Sequence, residues 1–157
     1  MYAHAIRLLA LANPMIEQQF GGVCAADQLP TLVPLGSKPQ FFIVNTDPAG
    51  LSGSHWVAFL IDRERAEFFD SLGHRPSHYH ERFEPFLINN GPRYLCNEIP
   101  YQSRGSDTCG SFCLYYAALR CAGVGYQDVL NSFTDNPLLN DSIVTEFVSN
   151  ILNVRYL

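Results

Sequence analysis

No stretch of this chain is apolar for long enough to cross a bilayer, so it offers no membrane-spanning helix. Basic character is also missing. Fifteen acidic side chains outnumber 10 basic ones, the formal charge is −5, and the charges are scattered, clustering only at Arg63, Glu64 and Arg65. That balance argues against nucleic acid as a partner. No CxxC pair faces a second pair or a nearby histidine, so a structural zinc site is not expected and no metal is assigned. The cysteines (Cys24, Cys96, Cys109, Cys113 and Cys121) are odd in number and lack the spacing of a disulfide scaffold. They fit a reducing compartment, in which most thiols are buried as small hydrophobes. Internal repeats, low-complexity tracts and long linkers are absent as well. A single domain over residues 1–157 follows.

What the chain does have is a core. At 47% hydrophobic and 13% aromatic residues, it can bury enough surface to fold without staples. Residues 3–12 carry apolar positions at helical spacing up to Asn13-Pro14, and read as a first helix rather than a secretory signal. Residues 21–40, rich in Gly, Pro and Leu, have no clear period and are expected to be irregular. Phe41–Val44 is a β-like run. NTDPAGLSGS is a loop, and the near-continuous apolar run from His55 to Ile61 predicts a strand covered on both faces. After a turn at Asp62–Arg65, a further strand returns over Ala66–Phe69 and ends on Asp70, giving an antiparallel meander. A helix is expected near ERFEPFLINN and a strand over Arg93–Ile99. Helices follow over Cys109–Cys121, Gln127–Phe133 and Pro137–Asn153. The fold class is α+β, with a central, mostly antiparallel sheet flanked by helices.

Cys109 stands where the polar loop 103–108 meets an apolar helix. Asp107 or Thr108 can cap that helix, which leaves the thiol in the first turn, where the helix dipole and free backbone N–H groups favour thiolate. Gly110 beside it keeps the surroundings open for a substrate backbone. Cys113 and Cys121 lie deeper in apolar sequence and read as core. A nucleophilic thiol needs a base, and the base needs an orienting acceptor. Of the five histidines, His4 falls in the first helix and His74, His78 and His80 in a polar, exposed stretch. Only His55 joins a glycine-rich loop, which includes Gly53, to a buried strand. Asp70 ends the antiparallel partner of that strand, which places the two at one rim of the sheet. Gln102, seven residues before Cys109 (109 − 102 = 7), can aim its amide at a developing oxyanion. Taken singly, each is ordinary: a strand-edge histidine, a strand-ending aspartate, a polar loop residue.

FFIVNTDPAGLSGSHWVAFLID, FFDSLG and YQSRGSDTCGSFCLYY resemble, in order, the signature blocks of the adenovirus maturation protease (adenain). That family shares a cysteine-protease clan with the ubiquitin-like-specific (SUMO) proteases. The resemblance runs from Phe41 to Tyr116. It implies the adenain-type fold and assigns the catalytic positions to His55, Asp70, Gln102 and Cys109. It further implies cleavage beside Gly-Gly motifs, with Trp56, Gly53 and Gly110 along a narrow substrate channel, and viral capsid and core precursors as substrates. The work would be done in the infected-cell nucleus or the virion rather than outside the cell. The chemistry needs no cofactor. Adenain itself is stimulated by DNA and by a viral peptide disulfide-linked to an enzyme cysteine. Cys96 sits loosely where that peptide-linking cysteine would be, whereas the acidic charge here speaks against DNA stimulation. Adenain uses Glu as the third catalytic member; Asp70 matches the ubiquitin-like-specific proteases instead. Two other readings stay open: an isopeptidase acting on ubiquitin-like conjugates, and a non-catalytic, protein-binding pseudoprotease.

Overall fold

The computed structural model describes residues 1–34 and 36–154. The expected domain of 1–157 therefore extends over residues 35 and 155–157, which lie outside the described residues. The helical pattern at the start forms α1 (Ala3–Ala12). It stops where expected, and Asn13 at once caps a short α2 (Pro14–Glu17), its side-chain oxygen accepting from the Met15 and Ile16 amides. The meander is present as β2 (Gln40–Asn45), β3 (Trp56–Ile61) and β4 (Ala66–Phe69), paired antiparallel throughout.

Two edge strands complete a five-stranded mixed sheet of order β1-β2-β3-β4-β5. Both outer pairings are parallel: β1 (Phe20–Cys24) against β2, and β5 (Tyr94–Cys96) against β4. The antiparallel character predicted from sequence thus holds for the central meander alone. β1 falls where irregular structure was expected, because two glycines mask it. A side chain at Gly21 would lie 2.6 Å from the ring of Phe42, so the strand passes close only without one. β5 is shorter than Arg93–Ile99 because Asn97 leaves the ladder to bond elsewhere.

Every residue of β3 is buried, since both sheet faces are covered. Trp56, Ala58 and Leu60 face a core shared with α1 and the helices α4 (Cys109–Cys121), α5 (Tyr126–Asn131) and α6 (Pro137–Val154). Val57, Phe59 and Ile61 face a second core closed by Phe83, Phe86 and Leu87 of α3 (Phe83–Asn90). Among the described residues no helix is long and apolar enough to cross a membrane.

One polar interaction pins α4 to the sheet. Glu67 of β4 is almost wholly buried and receives the Arg120 fork, Nε to Oε2 at 2.9 Å and Nη2 to Oε1 at 2.6 Å. The Tyr116 hydroxyl donates to Oε2 at 2.6 Å. Cys109, Tyr116 and Arg120 are separated by seven and four residues, so they share one stripe of α4. Clamping the last turn therefore sets the rotation at which Cys109 meets the sheet. Arg120→Met should cost roughly 1.5–3 kcal/mol, since it leaves a buried carboxylate with only the Tyr116 hydroxyl and Arg65, whose Nη2 lies 3.3 Å from Oε1. Urea unfolding measures this, and the Glu67→Gln/Arg120→Met pair should recover most of the loss.

Candidate active site

His55 directly precedes β3, and its carbonyl accepts from the Thr46 amide at 2.9 Å across the β2–β3 ladder. Asp70 directly follows β4 on the neighbouring strand. The meander thus brings two residues fifteen apart into contact: His55 Nε2 and Asp70 Oδ1 are separated by 2.6 Å. Asp70 is wholly buried, and a buried carboxylate needs partners. Oδ1 also accepts from the Leu72 amide at 2.9 Å, while Oδ2 accepts from the His74 amide at 3.0 Å and the Tyr79 hydroxyl at 2.6 Å. Asn97 holds its backbone from the far side, accepting from the Asp70 N–H at 2.9 Å and donating to its carbonyl at 2.6 Å.

With Nε2 on Asp70, the other imidazole nitrogen is left for the thiol. Burial opposes charge on His55, but its hydrogen bonds to Asp70 and Cys109, with their negative charges, prevail and push its pKa up to about 9. Burial likewise opposes the Cys109 thiolate. Against it act the hydrogen bond and charge of His55 and the backbone N–H groups of Trp56 and Gly110, which together hold that thiol below its ordinary value. Asp70 is also held low: its partners outweigh burial. The other cysteines move the opposite way. Burial raises Cys24 and Cys121 to about 11 and raises Cys96 and Cys113 as well. Cys109 alone among the five is poised as a thiolate.

Cys109 is the first residue of α4. The expected cap is only half realised. Thr108 occupies the N-cap position, but its side chain accepts no helix N–H and instead donates to Asp141 Oδ1 at 2.8 Å. The first-turn amides therefore stay available to the sulfur. Gly110 does not line the cleft. Its Cα faces Ile6 and Met1, both about 3.3 Å from where a Cβ would lie, and its contribution is the N–H given to Cys109.

Gln102 is buried at the cleft floor. Its Oε1 accepts from the Ser71 hydroxyl at 2.7 Å and its Nε2 donates to the Ser106 carbonyl at 2.8 Å. The flip of the amide is thereby fixed, and one N–H remains uncommitted. The Ser71 carbonyl also accepts the Tyr101 and Gln102 amides, at 2.8 and 3.0 Å. This close approach requires glycine at Gly73, where φ is +76° and a Cβ would lie 2.7 Å from the Pro100 nitrogen.

A cleft of about 520 Å³ opens on Cys109 and is walled by His55, Gly53, Trp56, Gln102, Ser106 and Met1, among others. A groove of about 570 Å³ shares Met1, Gly53 and Trp56 and runs on past the end of β1. Gly53 has φ +76°, and a Cβ there would come within 2.6 Å of the Asn45 side chain. Trp56 lines the cleft and also packs in the core, and its indole N–H donates to the Met1 carbonyl at 2.9 Å. Cys96 lies elsewhere, half-buried on edge strand β5 opposite Phe68. Among the described residues no group of three or more His, Cys, Asp or Glu is arranged to hold a metal ion.

Sequence reasoning missed Ser71, Tyr79, Asn97 and Asp141. Tyr79 carried a misleading signal, since HRPSHYH reads as exposed. His74 and His78 are indeed exposed and stacked at 4.1 Å, yet Tyr79, directly after His78, turns inward, its ring 5.8 Å from that of His55.

No family model matches the chain. It is 29% identical over 99 residues to a putative thiol protease, R355, of Acanthamoeba polyphaga mimivirus, a match covering 57% of this chain and 32% of the relative. The chain thus spans about a third of that curated relative's length. Among solved structures, ChlaDub1 of Chlamydia trachomatis superposes with a TM-score of 0.51 at 16% identity, over 96% of this chain and 77% of that one. The ASFV pS273R protease gives 0.46 at 24% identity, over 68% and 43%. The α+β fold is that of ChlaDub1, in agreement with the architecture implied by the sequence blocks.

In the native protein, iodoacetamide near pH 6 should alkylate Cys109 at least about tenfold faster than any other cysteine, as read by mass spectrometry of each thiol. His55→Ala should erase that advantage. Equal rates at all five positions in the wild type would refute the ion pair.

Proposed function

We propose that the chain is a cysteine endopeptidase in which Cys109 attacks, His55 shuttles the proton, Asp70 orients the imidazole, and Gln102 with the Cys109 N–H receives the oxyanion. The observation that carries this reading is the 2.6 Å contact of Asp70 Oδ1 with His55 Nε2, beside a thiol that the same imidazole holds below its ordinary pKa. The Cys109 sulfur forms a bond to the substrate carbonyl carbon, and the negative charge moves to the carbonyl oxygen. Collapse of that intermediate breaks the C–N bond as the His55 imidazolium gives its proton to the leaving amine. Water, deprotonated by the now neutral His55, then attacks the thioester, and Cys109 leaves as thiolate. Tyr79 takes no proton in this cycle: burial and Asp70 hold its pKa far above neutral, so it donates to Asp70 throughout.

The preferred substrates are extended chains with small residues at the scissile bond, Gly-Gly above all. This preference is supported by Trp56 and Gly53, which stand on the walls of the cleft that opens on Cys109. Likeness to a viral putative thiol protease favours viral precursor polypeptides as substrates. Isopeptide-linked ubiquitin-like conjugates are the second reading, since the same four residues serve that bond. A linear Gly-Gly peptide assayed beside its lysine-isopeptide isomer separates the two.

Cys109→Ala should abolish cleavage of Gly-Gly peptides while leaving the unfolding midpoint nearly unchanged; residual turnover would sink the mechanism. Asp70→Asn should reduce kcat on the order of 10⁴-fold, and Asp62→Asn by less than about twofold, since Asp62 is at the far turn between β3 and β4. The pH dependence has a definite sign. The imidazolium is needed as the acid, and it is present below the raised His55 pKa, so kcat/KM should fall as pH rises through about 9.

A further inference from the structure

Between β5 and α4 the chain runs from residue 97 to residue 108 without a helix or strand of its own, yet it has to present Gln102 and deliver Cys109 to a helix start. Its first half is held by the sheet: Asn97 on Asp70, and the Tyr101 and Gln102 amides on the Ser71 carbonyl. Its second half has no such neighbour. There, a single side chain from the far end of the sequence collects the loop. Asp141 of α6 accepts from the Thr108 hydroxyl at 2.8 Å, from the Ser103 hydroxyl, and from the Ser106 hydroxyl and Ser103 amide at 3.4 Å each. Asn140, wholly buried beside it, donates to the Tyr101 carbonyl at 3.1 Å.

Two details tie this cluster to the chemistry. The Ser106 carbonyl takes one N–H of Gln102, so the direction of the other N–H depends on where Ser106 stands. Thr108, whose hydroxyl is held by Asp141, directly precedes Cys109, so the place of the Cys109 N–H depends on where Thr108 stands. Asp141 is not part of the wall of the cleft over Cys109, so it acts at a remove.

We propose that Asp141 is a positioning residue for the oxyanion site: by gathering Ser103, Ser106 and Thr108 onto one carboxylate, it makes the free Gln102 N–H and the Cys109 N–H converge on one point. The inference rests on the protease reading above. It places part of the site's precision on α6, well outside the blocks that carry the four reacting groups.

The test is Asp141→Ala, read against two reagents that differ in what they demand. A peptide ending in Gly-Gly aldehyde is attacked by the thiolate at its carbonyl and leaves an oxyanion to be held. Iodoacetamide is displaced at a tetrahedral carbon and leaves none. Loss of the anchor should lower kcat on the order of 10–100-fold, with KM within about twofold. Aldehyde affinity should weaken by a similar factor, while the rate of Cys109 alkylation stays within about twofold of wild type. Amide hydrogen exchange should quicken over residues 103–108. Asp141→Asn, which keeps the size and one acceptor, should fall between wild type and Asp141→Ala. If Asp141→Ala does not fold, Ser103→Ala/Thr108→Val removes the two shortest of these bonds from the loop side and should give the same split. Unchanged kcat overturns the proposal, as does a parallel fall in kcat and alkylation, which would mean that Asp141 acts through the thiolate or the fold. A wild-type protein that neither cleaves nor alkylates preferentially at Cys109 overturns the protease reading and this inference with it. That failure is read on the unmodified chain and so is not confused with the others.

Discussion

A fully buried carboxylate organises this molecule's chemistry. Asp70 cannot be left bare in the interior, and its side chain is satisfied by four donors drawn from separate stretches: the His55 ring, the Leu72 and His74 amides, and the Tyr79 hydroxyl. Its backbone is held by a fifth residue, Asn97. Each donor is fixed by the need to satisfy Asp70, and each in turn fixes something else. The Leu72–His74 turn brings Ser71 against Gln102, Asn97 ends β5 and starts the loop to α4, and His55 is aimed at Cys109. Placing the negative charge is thus what aligns the strands, the turn and the loop.

The meander was legible in the sequence because β3 is apolar on both faces and its flanks are rich in turn residues. Once His55 is put at the start of one strand and Asp70 at the end of the next, their proximity follows from antiparallel pairing alone. Cys109 was legible for a different reason, the abrupt change from a polar loop to an apolar helix. What could not be read were residues whose importance lies in contacts made across long separations. Nothing local distinguishes Asp141 from any other acidic residue near a helix start, and its partners are 33 to 38 positions away. Tyr79 was hidden by polar neighbours. β1 was hidden by glycines that a pattern search treats as breakers, although packing under Phe42 demands one of them.

The two layers contribute unequal things. The sheet supplies His55 and Asp70, each next to the end of a paired strand, whereas α4 supplies the Cys109 sulfur from its first turn. A helix docked on a sheet can rotate or slide. Here the Glu67–Arg120 fork at the opposite end prevents both, with Tyr116 on the same carboxylate. Such a buried pair adds little net stability over an apolar one, but it permits only one register of helix on strand. Cys113, one turn below Cys109, shows what depth alone does: wholly buried and without a base, its thiol is driven the other way.

Because the sulfur belongs to the helical layer and the imidazole to the sheet, the reactive pair does not exist in any part of the chain taken alone. An undocked Cys109 is an ordinary thiol with a pKa near its standard value of 9.0, almost wholly protonated at neutral pH and slow toward carbonyls. The lowering of its pKa requires the docked helix, which sets the thiol beside His55. On the proposed mechanism, the division of labour between helix and sheet ties reactivity to docking: a chain whose α4 is off the sheet holds the sulfur and the imidazole but not the pair.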